Sequence, residues 1–217
     1  MIDHPSFSVE PWTVREIALD TDVLAQSESV FAVSNGHIGI RGNLDEGEPH
    51  GIPGTYLNGV YENRPLPYGE AGYGYPDSGQ TVINVANGKI IRLLVDDEPL
   101  DVRYGTLEHH ERVLDMRAGT LDRLVRWTSP AGKAIRIHST RMVSLTQRAV
   151  AAIAYEVEAV DPVLVVLQSE LVANEAPPEP DDDPRSAALM SDPLVRDESV
   201  IYRKGAVMVH HTVKSGI

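Results

Sequence analysis

A period-two alternation of apolar and polar side chains runs through the second half of the chain. It restricts the fold to one built from half-buried strands. Within residues 134–145, Ile135, Ile137, Ser139, Arg141, Val143 and Leu145 fall on one face, and Arg136, His138, Thr140 and Met142 on the other. Within residues 151–160, Ile153, Tyr155 and Val157 share a face opposite Glu156 and Glu158. Successive strand side chains point to opposite faces, so each pattern predicts a strand with one buried side. Turn residues punctuate the strands. Pro130-Ala131-Gly132 predicts a hairpin between residues 124–128 and the strand from Ala134. Asp96-Asp97-Glu98-Pro99 predicts another between residues 90–95 and 100–103, and Arg203-Lys204-Gly205 a third between residues 200–202 and 206–213. The apolar run at residues 163–171 suits an interior strand. Helical signal is confined to residues 21–34, enough for one turn capped by Asp20 or Asp22. The predicted class is all-β, an antiparallel β-sandwich or barrel with few short helices.

Composition removes several functions. The 217 residues carry 19 Lys and Arg against 32 Asp and Glu, a formal net charge of −13. A phosphate backbone or an anionic lipid surface would be repelled, so no nucleic-acid or membrane partner is expected. No cysteine is present, which excludes disulfides, thiolate nucleophiles and Cys-ligated zinc. The N-terminus lacks a basic start and an apolar run, and no stretch approaches eighteen apolar residues, so a cytoplasmic location is expected.

Two regions interrupt the strands. Residues 43–79 are rich in Gly, Pro and Tyr and are expected to lie outside the core, with residues 55–62 available to pair as one strand. Residues 174–193 are acidic and proline-rich and read as a surface excursion. Gly36-His37-Ile38-Gly39-Ile40-Arg41-Gly42 matches neither the Walker nor the dinucleotide glycine pattern. It reads as a sharp turn and a strand close to another backbone. His109-His110 and His210-His211 cannot chelate through both rings, because neighbouring strand residues face opposite ways, so no metal site is expected. Ser34 and His37 share a turn without a nucleophile elbow. Asp45, Glu46, Glu48, Glu62 and Glu70 could supply paired carboxylates for glycosidic chemistry, but an acidic chain places such residues in solvated loops by default. Tyr56, Tyr61, Tyr68, Tyr73 and Tyr75 put five of the eight tyrosines into twenty residues, the composition of a loop covered by a partner or by sugar.

The segment Phe31-Ala32-Val33-Ser34-Asn35-Gly36-His37-Ile38-Gly39-Ile40-Arg41-Gly42-Asn43-Leu44-Asp45-Glu46-Gly47 resembles the N-terminal signature of glycoside hydrolase family 65, the family of maltose, trehalose and kojibiose phosphorylases and trehalose hydrolases. The resemblance continues through Gly54-Thr55-Tyr56-Leu57-Asn58-Gly59-Val60-Tyr61-Glu62, through Arg112-Val113-Leu114-Asp115-Met116-Arg117-Ala118-Gly119-Thr120-Leu121, and through Arg141-Met142-Val143-Ser144-Leu145. It implies a galactose-mutarotase-like supersandwich, followed in family members by a helical linker and a catalytic (α/α)6 barrel. Residues 1–217 would then be the N-terminal sandwich domain, truncated at its C-terminal side, with the barrel and a homodimer as its partners. The implied reaction is inverting cleavage of an α-glucosidic disaccharide by water or by inorganic phosphate as co-substrate, with no cofactor. The family's catalytic groups belong to the barrel, so no catalytic residue is carried onto this chain. Tyr56, Asn58, Tyr61, Glu62, Tyr73 and Tyr75 are the candidates for a loop facing the substrate side. Two other readings remain at this stage: an autonomous carbohydrate-binding module, and a mutarotase-like epimerase using His138 with Glu156 or Glu158.

Overall fold

The computed structural model describes residues 7–66, 73–175 and 192–217. Strands β1 (Phe7–Glu10) and β2 (Thr13–Glu16) form a hairpin. A 3-10 turn (Thr21–Val23) and helix α1 (Leu24–Val30) follow. The Asp20 carboxylate accepts from the Asp22 N–H, so the expected cap is present, and the helical segment exceeds the single turn anticipated. Next come β3 (Val33–Ser34), β4 (Ile38–Ile40), β5 (Thr55–Leu57), β6 (Tyr61–Pro65), β7 (Ser78–Val82), β8 (Asn87–Val95) and β9 (Glu98–Pro99). The long strands are β10 (Thr106–Asp115), β11 (Thr120–Thr128), β12 (Ala134–Val143), β13 (Ala151–Ala159) and β14 (Val165–Val172). A last hairpin joins β15 (Leu194–Tyr202) to β16 (Gly205–Thr212).

Every strand pair is antiparallel. The main sheet has the order β1-β2-β10-β11-β12-β13. Its inner face carries Val125, Trp127, Ile135 and Ile137, which pack on Leu93 and Val95 of the three-stranded sheet β14-β8-β9. Further along the same face, Leu121 and Val143 meet Phe31, Val33 and Ile40 from the end of α1 and the small sheet β3-β4-β5. Stacked antiparallel layers therefore enclose two apolar clusters along the inner face of the main sheet, as the alternation predicts. Burial along β12 alternates residue by residue, with Ile135, Ile137, Ser139, Arg141 and Val143 inside. The fully buried Trp127 keeps its indole N–H satisfied by the Tyr104 carbonyl at 2.8 Å.

Several local expectations need correction. The turn after β8 is only Asp96-Asp97, both at positive φ, and Glu98–Pro99 already pair back; residues 100–103 form no strand. Aspartates tolerate the left-handed region, which lets a two-residue turn close this hairpin. Residues 55–62 form two strands, because Asn58-Gly59 turns the chain with Gly59 at φ 90°. Among the described residues β14 pairs only with β8, so the 163–171 run stands at the edge of its sheet and leaves Val166 and Leu167 exposed. Local hydrophobicity marks a strand but not its place in the sheet order. The glycine cluster behaves as expected. Gly36 takes φ 81° in a turn where the Asn35 side chain accepts from the His37 and Ile38 N–H groups. A Cβ on Gly42 would stand 2.6 Å from the Phe31 Cβ, so two backbones meet there at a distance only glycine allows. Tyr68, Glu70 and most of the 174–193 excursion lie outside the described residues.

Candidate functional site

Three adjacent strands of the main sheet each turn an arginine inward: Arg112 on β10, Arg123 on β11 and Arg141 on β12. A guanidinium removed from water is costly unless it is paired. Arg112 meets Glu16 of β2 in a two-pronged pair, Nε to Oε2 at 2.6 Å and Nη2 to Oε1 at 2.9 Å. It also donates to the Gly42 carbonyl at 2.7 Å and the Ser27 hydroxyl at 2.8 Å, and its plane lies 4.7 Å from the Phe31 ring centre. One side chain thus ties β10, β2, α1 and the start of the long loop together.

The carboxylates expected in a solvated loop complete this interior. Asp45 and Glu46 are each 2% exposed, so the segment after β4 is core. Asp45 accepts from Arg141 Nη2 at 2.6 Å, Ser139 Oγ at 2.6 Å and Arg123 Nη1 at 3.2 Å. Glu46 accepts from Arg123 Nη1 at 2.9 Å and from the Tyr155 hydroxyl at 2.6 Å. Burial raises the Asp45 pKa, but Arg141, Arg123 and the Ser139 hydroxyl outweigh it and hold the carboxyl below its usual range. Burial and Glu46 drive the Tyr155 phenol upward, so it stays protonated and donates. Burial, then Arg123 and Arg112, push the His110 imidazole well down, which leaves it neutral and accepting from Arg123 Nε at 3.1 Å. Asp45 and Glu46 are therefore shielded from solvent and taken up by partners within the domain. They anchor the loop to the sheet.

The tyrosine-loop candidates fall on several elements. Tyr56 on β5 and Tyr61 on β6 are half-buried, and Asn58 is exposed at the turn between them. Tyr73 and Tyr75 stand exposed beyond the β6–β7 hairpin. Glu62 is fully buried and binds backbone: its carboxylate accepts from the Lys214, Ser215 and Asn63 N–H groups at 2.7, 2.8 and 2.7 Å. Burial raises its pKa, and these three donors bring it below the normal value. Glu62 fastens the turn after β16 to β6. Glu48 is partly exposed and lies 3.6 Å from Arg103.

On the outer face of the main sheet, His138 sits directly across from Glu156, and Arg136 from Glu158. With His109 and Arg126 they line a shallow depression of about 370 Å³. Arg136 holds Glu158 at 3.1 Å, and the nearest acidic partner of His138 is Asp122 at 3.7 Å. Sequence alternation placed these carboxylates on a polar face, and they occupy it. His109 is half-exposed and His110 buried, on opposite sides of β10. Among the described residues no group of three or more His, Asp or Glu stands where it could hold a metal ion. The inward residues Glu16, Arg112, Arg123 and Tyr155 escaped the sequence reading as a set. Their signal was an arginine at an apolar phase of the alternation, as at Arg123 between Leu121 and Val125.

The glycosyl hydrolase family 65 N-terminal domain profile matches residues 14–217. The chain belongs to that family. An uncharacterized glycosyl hydrolase of Mycobacterium tuberculosis is 61% identical over 218 residues, covering all of this chain and 28% of its own length. The α,α-trehalose phosphorylase of Thermoanaerobacter brockii is 40% identical over 161 residues, 72% of this chain and 21% of that protein. A solved structure provisionally assigned as a kojibiose phosphorylase, from the human microbiome, superposes with a TM-score of 0.81 at 23% identity. It covers 96% of this chain and 26% of the other, and shows that the fold is shared. The family 65 domain described here spans just over a quarter of the length of the mycobacterial relative. Among its described residues no helix is long and apolar enough to cross a membrane.

Proposed function

We propose that residues 1–217 form the non-catalytic N-terminal sandwich of a longer family 65 enzyme. That enzyme would act on an α-glucosidic disaccharide of the maltose, trehalose or kojibiose type. The parent reaction is inverting phosphorolysis or hydrolysis, with inorganic phosphate as co-substrate in the first case, carried out in the cytoplasm by an (α/α)6 barrel outside this chain. The observation that carries this reading is the use of the loop carboxylates. Asp45, Glu46 and Glu62 are buried and hydrogen-bonded to arginine or backbone, in a chain matching the family's N-terminal domain. Val166 and Leu167 on β14, and Ile201, Tyr202 and Val207 on the β15–β16 hairpin, are exposed. Exposed apolar side chains of this kind suit a domain covered by its own barrel or by a second copy.

The isolated chain is expected to release neither glucose nor glucose 1-phosphate from maltose, trehalose or kojibiose, with or without phosphate. Its calorimetric titration with maltose and trehalose is expected to show no millimolar binding. Turnover by the isolated chain would overturn the proposal, and millimolar binding would favour a carbohydrate-binding module. The exposed Tyr73 and Tyr75 are assigned to the surface that meets the barrel. In the full-length enzyme, Tyr73→Ala with Tyr75→Ala should lower affinity, turnover or thermal midpoint. Unchanged values in all three would remove these residues from the interface.

A further inference from the structure

A second cavity lies between the two layers. Ile40 of β4, Leu57 of β5, Ile91 of β8 and Ile153 of β13 are among the residues that wall it, and its volume is about 470 Å³. Cavities of roughly 300–1,000 Å³ with apolar walls and few polar groups are typical of small-ligand sites. The cation in this wall is Lys89 of β8, which is 3% exposed. Its Nζ donates to the neutral Thr55 hydroxyl at 3.1 Å, and among the described residues no carboxylate forms an ion pair with it.

The surrounding charges oppose one another and none forms an ion pair with the ammonium. Burial pushes Lys89 down to about 8, Glu175 opposes the fall, Arg141 adds to it, Glu28 opposes it and Arg41 adds to it. Of the two nearby carboxylates, Glu175 accepts from the Asn87 amide at 2.7 Å through one oxygen, and Glu28 accepts from the Gly51 and Ile52 N–H groups at 2.9 Å; neither forms an ion pair with Lys89. Arg141 and Arg41 have their own carboxylates, Asp45 at 2.6 Å and Glu28 at 3.6 Å, whereas Lys89 has none as an ion-pair partner among the described residues. An ammonium has three donors, and the Thr55 hydroxyl keeps its own proton to give. Together they match the two oxygens of a single carboxylate. The walls are mostly aliphatic, with Ser169 the further polar side chain beside Lys89 and Thr55.

We propose that this cleft binds a small aliphatic carboxylate, its carboxyl group paired with Lys89 Nζ and bonded to the Thr55 hydroxyl, its hydrocarbon body against Ile40, Leu57, Ile91 and Ile153. The assignment is independent of the parent enzyme's reaction. The probes are hexanoate, hexanol and hexylamine, titrated calorimetrically into the 217-residue chain at pH 7. Hexanoate should bind at least about tenfold more tightly than hexanol, and hexylammonium not at all, because only the carboxylate carries the charge opposite to that of Lys89. In methyl-labelled protein, hexanoate should shift Ile40, Ile91 and Ile153 before other isoleucines. Lys89→Met should weaken hexanoate by about tenfold or more and leave hexanol within about twofold. Equal affinity for hexanoate and hexanol, no saturation by hexanoate below about 50 mM, or shifts centred elsewhere would each overturn the site. These wild-type readouts decide the matter even if the variant fails to fold.

Discussion

Arg112→Leu is expected to lower the unfolding free energy by about 3–5 kcal/mol, measured by urea denaturation at neutral pH, because it leaves the Glu16 carboxylate buried without its partner. Domains of this kind hold only about 5–15 kcal/mol in total, so the variant should sit near the limit of stable folding. The geometry explains why the loss is large. Arg112 satisfies both Glu16 oxygens, the Gly42 carbonyl and the Ser27 hydroxyl in one dry location. Removing both charges, with Glu16→Leu added to Arg112→Leu, should recover most of the deficit. A residual of about 1–3 kcal/mol is expected from the Gly42 carbonyl left without a donor. A single variant as stable as wild type would show that the pair contributes nothing. A double variant no better than the single would show that packing, and not charge, governs this position.

Asp45→Asn is the second large effect, with an expected loss of about 3–5 kcal/mol at pH 7. The carboxylate accepts from Arg141, Arg123 and Ser139, and an amide would turn two of its hydrogens toward these donors. The same residue carries a pH signature. Its folded pKa is depressed, so its stabilisation is fully present above the unfolded value of about 3.9 and is lost as pH falls through the folded one. Wild-type stability should therefore decline on acidification below about pH 4, while the variant's decline is shallower by one proton. Glu62 has a lowered value too and is present in both proteins, so the difference between the two curves isolates Asp45. Parallel curves would show that Asp45 does not titrate with unfolding.

Strands β12 and β13 were readable because each alternates over nine or more residues, and the turn before β12 is marked by Pro130-Ala131-Gly132. The family resemblance was readable from motif blocks spread along the chain, and the profile match over residues 14–217 bears it out. The buried role of residues 43–46 was not. Asp45 and Glu46 look like solvent residues until the guanidinium groups facing them are located, and those sit on strands about eighty to a hundred positions away. Arg141 and Ser139 were correctly assigned to the apolar face of β12, but alternation alone does not tell which partner a buried polar residue will find. The edge position of β14 was hidden for a related reason. Its apolar content fixes that it is a strand, whereas the order of strands depends on the topology of the entire sheet.

The inward arginines on β10, β11 and β12 also guard against misalignment. A one-residue slip of any of these strands would turn its guanidinium to the outer face and drive residues such as Asp122 or His138 into the apolar interior. A two-residue slip would keep the apolar side inside but carry the cation past its carboxylate. An all-aliphatic interior would tolerate that second error far better. The polar inlay thus acts as a proofreading device, penalising compact but shifted pairings that hydrophobicity by itself would accept.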